Sequence, residues 1–268
     1  MNQVLKYPGS KLRISDWIIR KFPKHHSYLE PFFGSGAILF NKAPSEIETV
    51  NDLDDDVTNL FEVIRDTPEE LQQAVFYTPY SRSEYDKSFS CPNGSKIEKA
   101  RKFLVRCWQG YGFRANAHKV GWKNDVQGRE SAYAVRNWNR LPDALEVVVH
   151  RLKMVQIENL EARKLVQHFN YPNVFIYADP PYMSGTRNGK AYRYEMSDQD
   201  HQEFLEALIQ HKGPAMISGY DNSMYNEILK NWYKDSIETT AEKGAKRTET
   251  IWMNYQEGPE QISIFERI

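Results

Sequence analysis

The chain has 268 residues, 40% of them hydrophobic and 26% charged, which suits one core carrying a sizeable insertion better than two independent domains. No stretch approaches the ~18 consecutive apolar residues of a membrane span. The N-terminal MNQVLKYPGSKLR lacks the apolar run of a secretory signal, so a cytoplasmic protein with no membrane partner is expected. Two cysteines, Cys91 and Cys107, exclude a disulfide framework and form no metal-ligand cluster; a reducing compartment and no structural metal are expected.

Net charge, 35 basic minus 36 acidic residues or −1, excludes a generally basic protein that coats nucleic acid. The charge is nonetheless polarised. From Lys96 to Lys153 there are 13 Lys and Arg against 5 Asp and Glu, a local +8, which leaves 22 against 31, or −9, for the remainder. One basic region on an acidic chain fits an acidic polymer as partner.

In chain order, KYPGSKLRISDWIIRKF comes first and predicts a helix whose first turn holds Lys11 and Arg13 and whose apolar face is Ile14, Trp17 and Ile18. Cations there oppose the helix dipole. Lys11 therefore calls for a partner carboxylate or phosphate, from a cofactor or from a nucleic-acid backbone, with a solvated lysine as the alternative. Strand Ser27–Glu30 then runs into EPFFGSGAILFN, a Gly-Ser-Gly turn ahead of an apolar helix, where backbone can approach a ligand closely. The missing third glycine argues against a dinucleotide pyrophosphate and leaves room for a cofactor without phosphate. Strand Ile47–Asn51 leads into Asp52, about 17 residues beyond the glycines, near the offset at which an acidic residue meets a ribose in nucleotide-binding α/β folds. Asp54, Asp55 and Asp56 are expected to begin and cap the next helix.

Residues 67–139 behave differently, first helical and then turn-rich, with Gly110, Gly112, Gly121 and Gly128 and no buried-strand pattern. They read as an insertion between residues 1–66 and 140–268, and Pro142 marks the return to the core. Further strands are expected at 154–157, Val174–Ala178 and 215–218, with antiparallel additions near 250–254 and 262–266. Ser197 with Asp200 three positions on resembles a capping box ahead of the stripe Phe204, Leu205, Leu208, Ile209. Apolar strands alternating with helices imply an α/β sheet.

VFIYADPPY, residues 174–182, carries the strongest signal: a buried strand ending in Asp179, Pro180, Pro181 and Tyr182. Ligands of open α/β sheets sit beyond the carboxyl ends of the strands, and paired prolines stiffen the turn that presents Asp179 there. A carboxylate and the Pro180 carbonyl could each accept one hydrogen of an adenine amino group, freeing its ring-delocalised lone pair for an electrophilic methyl. Tyr182 would stack on the base, flipped from its duplex; core packing is the alternative for that ring.

Within the insertion, RCWQGYGFRANAHKVGWKNDVQGRESAYAVRNWNR mixes Arg, Lys, Asn and Gln with six aromatic residues, the donor types that read base edges. Arg114, Asn116, Lys119, Lys123 and Arg129 are the candidates to touch DNA, each against a solvated-loop reading. Lys246 and Arg247, in the loop EKGAKRTE before the strand TIWMN, could add phosphate contacts.

Together YPGSK, EPFFGSGA, NDLD, the insertion and DPPY, in that order, resemble the Dam-type, D12-class adenine-N6 DNA methyltransferases, and more narrowly a phage and prophage branch; VQIEN, ISGYDNSMY and KRTETIWMN extend the likeness over nearly the whole chain. The resemblance implies direct transfer of a methyl group from S-adenosylmethionine to a flipped adenine of double-stranded DNA, by a monomer or weak dimer without metal. It implies that Tyr7, Lys11, Glu30, Pro31, Phe32, Phe33, Gly34, Ser35, Gly36, Asp52 and Asp179 face the cofactor, while Asp179 to Tyr182 hold the adenine. It also implies a Rossmann-like sheet of seven mostly parallel strands with a mainly helical target-recognition domain inserted at 67–139. Ser10 stands where many relatives carry Gly, and Tyr7 where some carry Trp. An RNA or protein-amide methyltransferase and an inactive DNA-binding relative are the rival readings.

Overall fold

The computed structural model describes residues 4–90, 94–112, 118–124, 126, 133–183, 192–240 and 246–256. A 3₁₀ turn, Leu12–Ile14, leads into α1 (Ser15–Arg20). Then follow β1 (Ser27–Glu30), β2 (Ile47–Asn51), α2 (Asp55–Asp66), α3 (Pro68–Phe76), α4 (Arg82–Lys87), α5 (Lys96–Gln109), α6 (Tyr133–Asn139), α7 (Leu141–Leu152) and β3 (Val155–Glu158). The last part comprises α8 (Ala162–His168), β4 (Val174–Ala178), α9 (Asp198–Ile209), β5 (Ala215–Tyr220), α10 (Ser223–Ile228), β6 (Tyr233–Thr240) and β7 (Lys246–Met253).

The seven strands form one sheet in the order β3-β2-β1-β4-β5-β7-β6, parallel except for β7. This is the expected α/β sheet of seven mostly parallel strands. Period-two alternation divides the interior into two layers. Tyr28, Val50, Phe175, Tyr177, Met216, Ile251 and Met253 face a core shared with α1, α2, α5 and α7. Leu29, Ile176, Ala178, Ile217 and Trp252 face α8, α9 and α10. Strand β4 is buried at every residue, which explains why VFIYA is apolar without interruption.

Local chemistry sets the helix starts. The Asp54 side chain caps α2 by accepting from the Asp56 amide at 3.0 Å, as the acidic run suggested, and Ser197 with Asp200 makes the full capping box of α9. Elsewhere the sequence reading needs correction. The apolar run after Gly36 is a series of turns, not a helix: Phe40 and Lys42 bond back to Gly36 and Ile38, but Ile38, Leu39 and Phe40 are all buried and Pro44 stops the run after little more than a turn. Strand β6 was not anticipated, because the half-exposed YKDSIETT of an edge strand lacks an apolar signature. Strand β7 begins at Lys246, four residues earlier than its apolar part, since pairing with β6 extends it. The strand expected at 262–266 lies outside the described residues.

Residues 67–139 supply α3 to α6. Among the described residues they pack into the α2 face of the same core through Leu71, Val75, Phe103, Leu104, Trp108 and Trp138. Five of the thirteen cations between Lys96 and Lys153 pair with carboxylates outside that window: Lys96 with Glu62, Arg101 with Glu84, Arg106 with Asp56, Lys119 with Asp86 and Arg151 with Glu48. The +8 of the sequence therefore overstates the field this region projects.

At the end of the sheet remote from the carboxyl ends of its parallel strands, Lys42 is wholly buried, its ammonium donating to the Ala43 carbonyl and Ser45 hydroxyl, each at 2.8 Å, and to Glu48 Oε1 at 2.5 Å. Arg151 of α7 engages both oxygens of the same carboxylate. Breaking a buried pair leaves an uncompensated charge. Glu48→Gln should therefore lower unfolding stability by about 3–5 kcal/mol in urea titrations, and a loss below about 1 kcal/mol would mean that the cluster does not hold the β1–β2 connection to α7.

Candidate active site

The strand order reverses between β1 and β4, and the crevice at such a switch point is where open parallel sheets bind ligands. A cavity of about 470 Å³ opens there. Glu30 closes β1, Asp52 follows β2 and Asp179 follows β4, so three strands deliver carboxylates to one rim. Of the residues expected to face a cofactor, all line this cavity except Gly36. Gly36 has a packing role: at φ 67 a side chain is disfavoured, and a Cβ would lie 2.3 Å from Phe40 and 2.7 Å from Phe33. Gly34, at φ 48, lies beneath the Tyr7 ring. Asp52 braces this turn, accepting from the Gly34 amide at 2.8 Å through Oδ2 and from the Asp54 amide at 2.9 Å through Oδ1. Phe33 packs into the core against Phe61, while Phe32 packs edge-on against Phe204 of α9.

Lys11 is neither solvated nor in the first turn of α1. Its ammonium is buried and lies 2.7 Å from Asp179 Oδ1, donating also to the Tyr182 hydroxyl at 2.8 Å and the Gly9 carbonyl at 3.3 Å. These contacts use its three donors, so the partner carboxylate its position called for is Asp179, and neither a cofactor carboxylate nor a DNA phosphate is needed. Burial alone would lower the Lys11 pKa, but Asp179 and Glu249 together raise it well above the usual lysine value. Burial is the largest influence on Asp179 and leaves its pKa above the usual carboxylate value, with Lys11 opposing the rise.

Ser218 of β5 donates to the same Oδ1 at 2.9 Å and is itself 2.9 Å from the Tyr177 hydroxyl. Glu249 of β7 accepts from the Tyr182 hydroxyl at 2.5 Å and lies 3.7 Å from the Lys11 ammonium. Neither Ser218 nor Glu249 was among the candidates. The available signal was a polar residue at an inward position of a buried strand, since Glu249 alternates with Ile251 and Met253. Tyr182 already has an aromatic partner: its ring stacks on Tyr220 at 4.1 Å and 3°. The ring face that Tyr220 covers is closed to a base while that stack persists. Pro180 and Tyr182 border a small second recess with Ser218, Tyr220 and Tyr225 beside the main cavity.

The DNA candidates are more scattered. Arg114, Asn116 and Arg129 lie outside the described residues. Lys119 is in an exposed pair with Asp86 at 2.8 Å, and the Lys123 ammonium lies over the Tyr133 ring at 4.2 Å. Lys246 and Arg247 open β7 and do not form a loop. The Lys246 side chain is outside the description, and the exposed Arg247 guanidinium lies 5.9 Å from the Tyr220 ring.

Residues 7–249 match the D12 class N6 adenine-specific DNA methyltransferases. The chain belongs to that family. The methyltransferase is 24% identical over 271 residues to a type II methyltransferase, M1.LlaDCHI, of Lactococcus lactis subsp. cremoris, covering 93% of this chain and 94% of the relative. It is 25% identical over 250 residues to the DNA adenine methylase of Escherichia coli (strain K12), covering 86% and 83%. A Haemophilus influenzae DNA adenine methylase is 24% identical over 241 residues, with 84% and 81% covered. This enzyme therefore methylates N6 of adenine in DNA, and the RNA and protein-amide readings fall away. Among the described residues no helix is long and apolar enough to cross a membrane.

Glu30 makes the chemistry of the cavity testable without DNA. Burial is the main cause that raises its pKa to about 8, and the Tyr28 hydroxyl, bonded to it at 2.8 Å, only partly opposes this. Asp52 and Asp54 are raised in the same way to about 6 and about 7. A carboxyl pKa raised by folding contributes stability that is complete below the unfolded value and is lost as pH rises through the folded one. Between about pH 5 and about pH 9 the melting temperature of Glu30→Gln should thus gain on that of the wild type. Parallel melting curves across that window would rule out the buried, protonated Glu30.

Proposed function

We propose that the cavity binds S-adenosylmethionine and that Asp179, Pro180 and Tyr182 present a flipped adenine to it. The observation that carries this reading is the charge of the cavity, whose lining holds eight acidic side chains (Glu30, Asp52, Asp54, Glu161, Asp179, Glu195, Asp200, Glu203) and two cations, Lys11 and Arg163; with Glu30 protonated at neutral pH, the acids still outnumber the cations. Such a site suits a ligand of net positive charge and repels phosphates. Asp54 Oδ2 adds a specific reason, being a buried acceptor with no partner among the described residues. A volume of about 470 Å³ is in the range of small-molecule sites. Tyr7, Glu30, Gly34, Asp52 and Asp54 would hold the group, with Asp52 suited to its ribose hydroxyls. When bound, S-adenosylmethionine supplies an electrophilic methyl on a sulfonium.

The protein's part is to make N6 nucleophilic. Lys11 and Ser218 both engage Asp179 Oδ1, which leaves Oδ2 to accept one N6 hydrogen while the Pro180 carbonyl accepts the other. Two fixed acceptors draw the nitrogen toward tetrahedral geometry and turn its lone pair to the cavity. Tyr182 and Tyr220 offer the aromatic surface for an extruded base. We assign residues 67–139 to DNA recognition, with Lys123 and, from β7, Arg247 as phosphate contacts.

Asp179→Ala should lower single-turnover methylation by about a thousandfold while the dissociation constant of S-adenosylhomocysteine, read by calorimetry, changes by less than about fivefold. Near-normal turnover in that variant would sink the mechanism. Lys123→Ala should weaken DNA binding evenly across sequences and reduce the slope of log K against log salt by about one; an unchanged slope would remove Lys123 from the footprint.

A further inference from the structure

The outer wall of the cavity is a short strap, 192–196, which contributes Tyr192, Tyr194, Glu195 and Met196 to the lining just before the capped start of α9. The strap is shaped locally. The Tyr192 amide donates to Glu195 Oε1 at 3.0 Å, and the Tyr192 hydroxyl lies so close over Gly9 that a Cβ there would come within 2.5 Å of it. Only Arg193 reaches from the strap to the far wall among the described ion pairs. Its guanidinium lies 3.0 Å from Asp54 Oδ1 and donates to Asp56 Oδ2 at 2.5 Å, so it joins the strap to the N-terminus of α2. Asp54 is itself a lining residue, and Asp56 Oδ2 is held from its other side by Arg106 of α5 at 2.8 Å. A guanidinium between two carboxylates fixed by a helix N-terminus and a second arginine has a defined closed position.

We propose that Arg193 is a latch that holds the strap closed over the bound cofactor, so that cofactor release requires its separation from Asp54 and Asp56. This rests on the reading of the cavity as the S-adenosylmethionine site. Arg193 touches neither reacting group; it is a positioning residue whose effect falls on residence time. Differences of this kind appear in dissociation rates far more than in association rates.

The test uses full-length, DNA-free enzyme and S-adenosylhomocysteine as the probe, with equilibrium binding by calorimetry and dissociation by stopped-flow displacement. Arg193→Ala should speed dissociation by about tenfold or more, the effect of losing charge-assisted contacts, with association changed less than about threefold. Arg193→Lys should recover part of the loss through one carboxylate, and Asp56→Asn should fall between wild type and Arg193→Ala. Wild-type dissociation in Arg193→Ala overturns the latch and leaves the cofactor site standing. A fall in melting temperature with both rates altered and no recovery by lysine shows a folding role and also overturns it. Failure of the wild type to bind S-adenosylhomocysteine overturns the cofactor reading and the latch with it.

Discussion

The buried contact between Lys11 and Asp179 is the constraint around which the site is built. Burial raises the pKa of a carboxylate at the end of an all-buried strand, and the cation that opposes this among the described residues comes from the far end of the chain. That requirement fixes more than a pair of charges. It brings the segment before α1 against the carboxyl end of β4, orders Tyr182 through a shared hydroxyl contact, and draws Glu249 of the antiparallel strand into the same cluster. Because the contacts of Lys11 and Ser218 both fall on Asp179 Oδ1, the proposed mechanism gives Oδ2 to the substrate.

Charge is distributed between the two ligands with the same economy of means. The cavity gathers carboxylates from β1, β2, β4, α8 and the approach to α9, and burial holds several of them well above their ordinary pKa. A cavity that gathers acidic groups in this way is costly to the empty protein and would favour a cation. Among the described residues, Lys96 and Arg106 of the helical segment, by contrast, pair with Glu62 and Asp56 of α2. They join that segment to the sheet at least as much as they advertise it to DNA. Asp56 shows the consequence, since one of its oxygens serves both α5 and the strap over the cavity.

How much was legible in the residues depended on range. Strands β1, β2 and β4 could be bounded correctly because each is a short apolar run closed by a carboxylate or glycine, and the caps of α2 and α9 could be named because capping is chemistry over three residues. The turn after Gly36 was misread as a helix because an apolar run looks the same whether it coils or is merely buried. Edge strand β6 was missed because its partner, β7, supplies the order that its own composition does not.

The amino-acid sequence by itself determined the sheet class and the Asp-Pro-Pro-Tyr turn, which depend on residue types at short fixed spacing, and its whole-chain resemblance to one family pointed to the adenine amino group. Only the tertiary structure decided that Lys11 belongs to Asp179, that Ser218 and Glu249 complete the cluster, that Tyr182 already has a stacking partner in Tyr220, and that Arg193 reaches across the cavity. Those pairings join residues far apart in the chain, 38 positions for Tyr182 with Tyr220 and 168 for Lys11 with Asp179. They form because burial forces each charge and hydroxyl to find a partner, and the sheet order determines which partners are within reach.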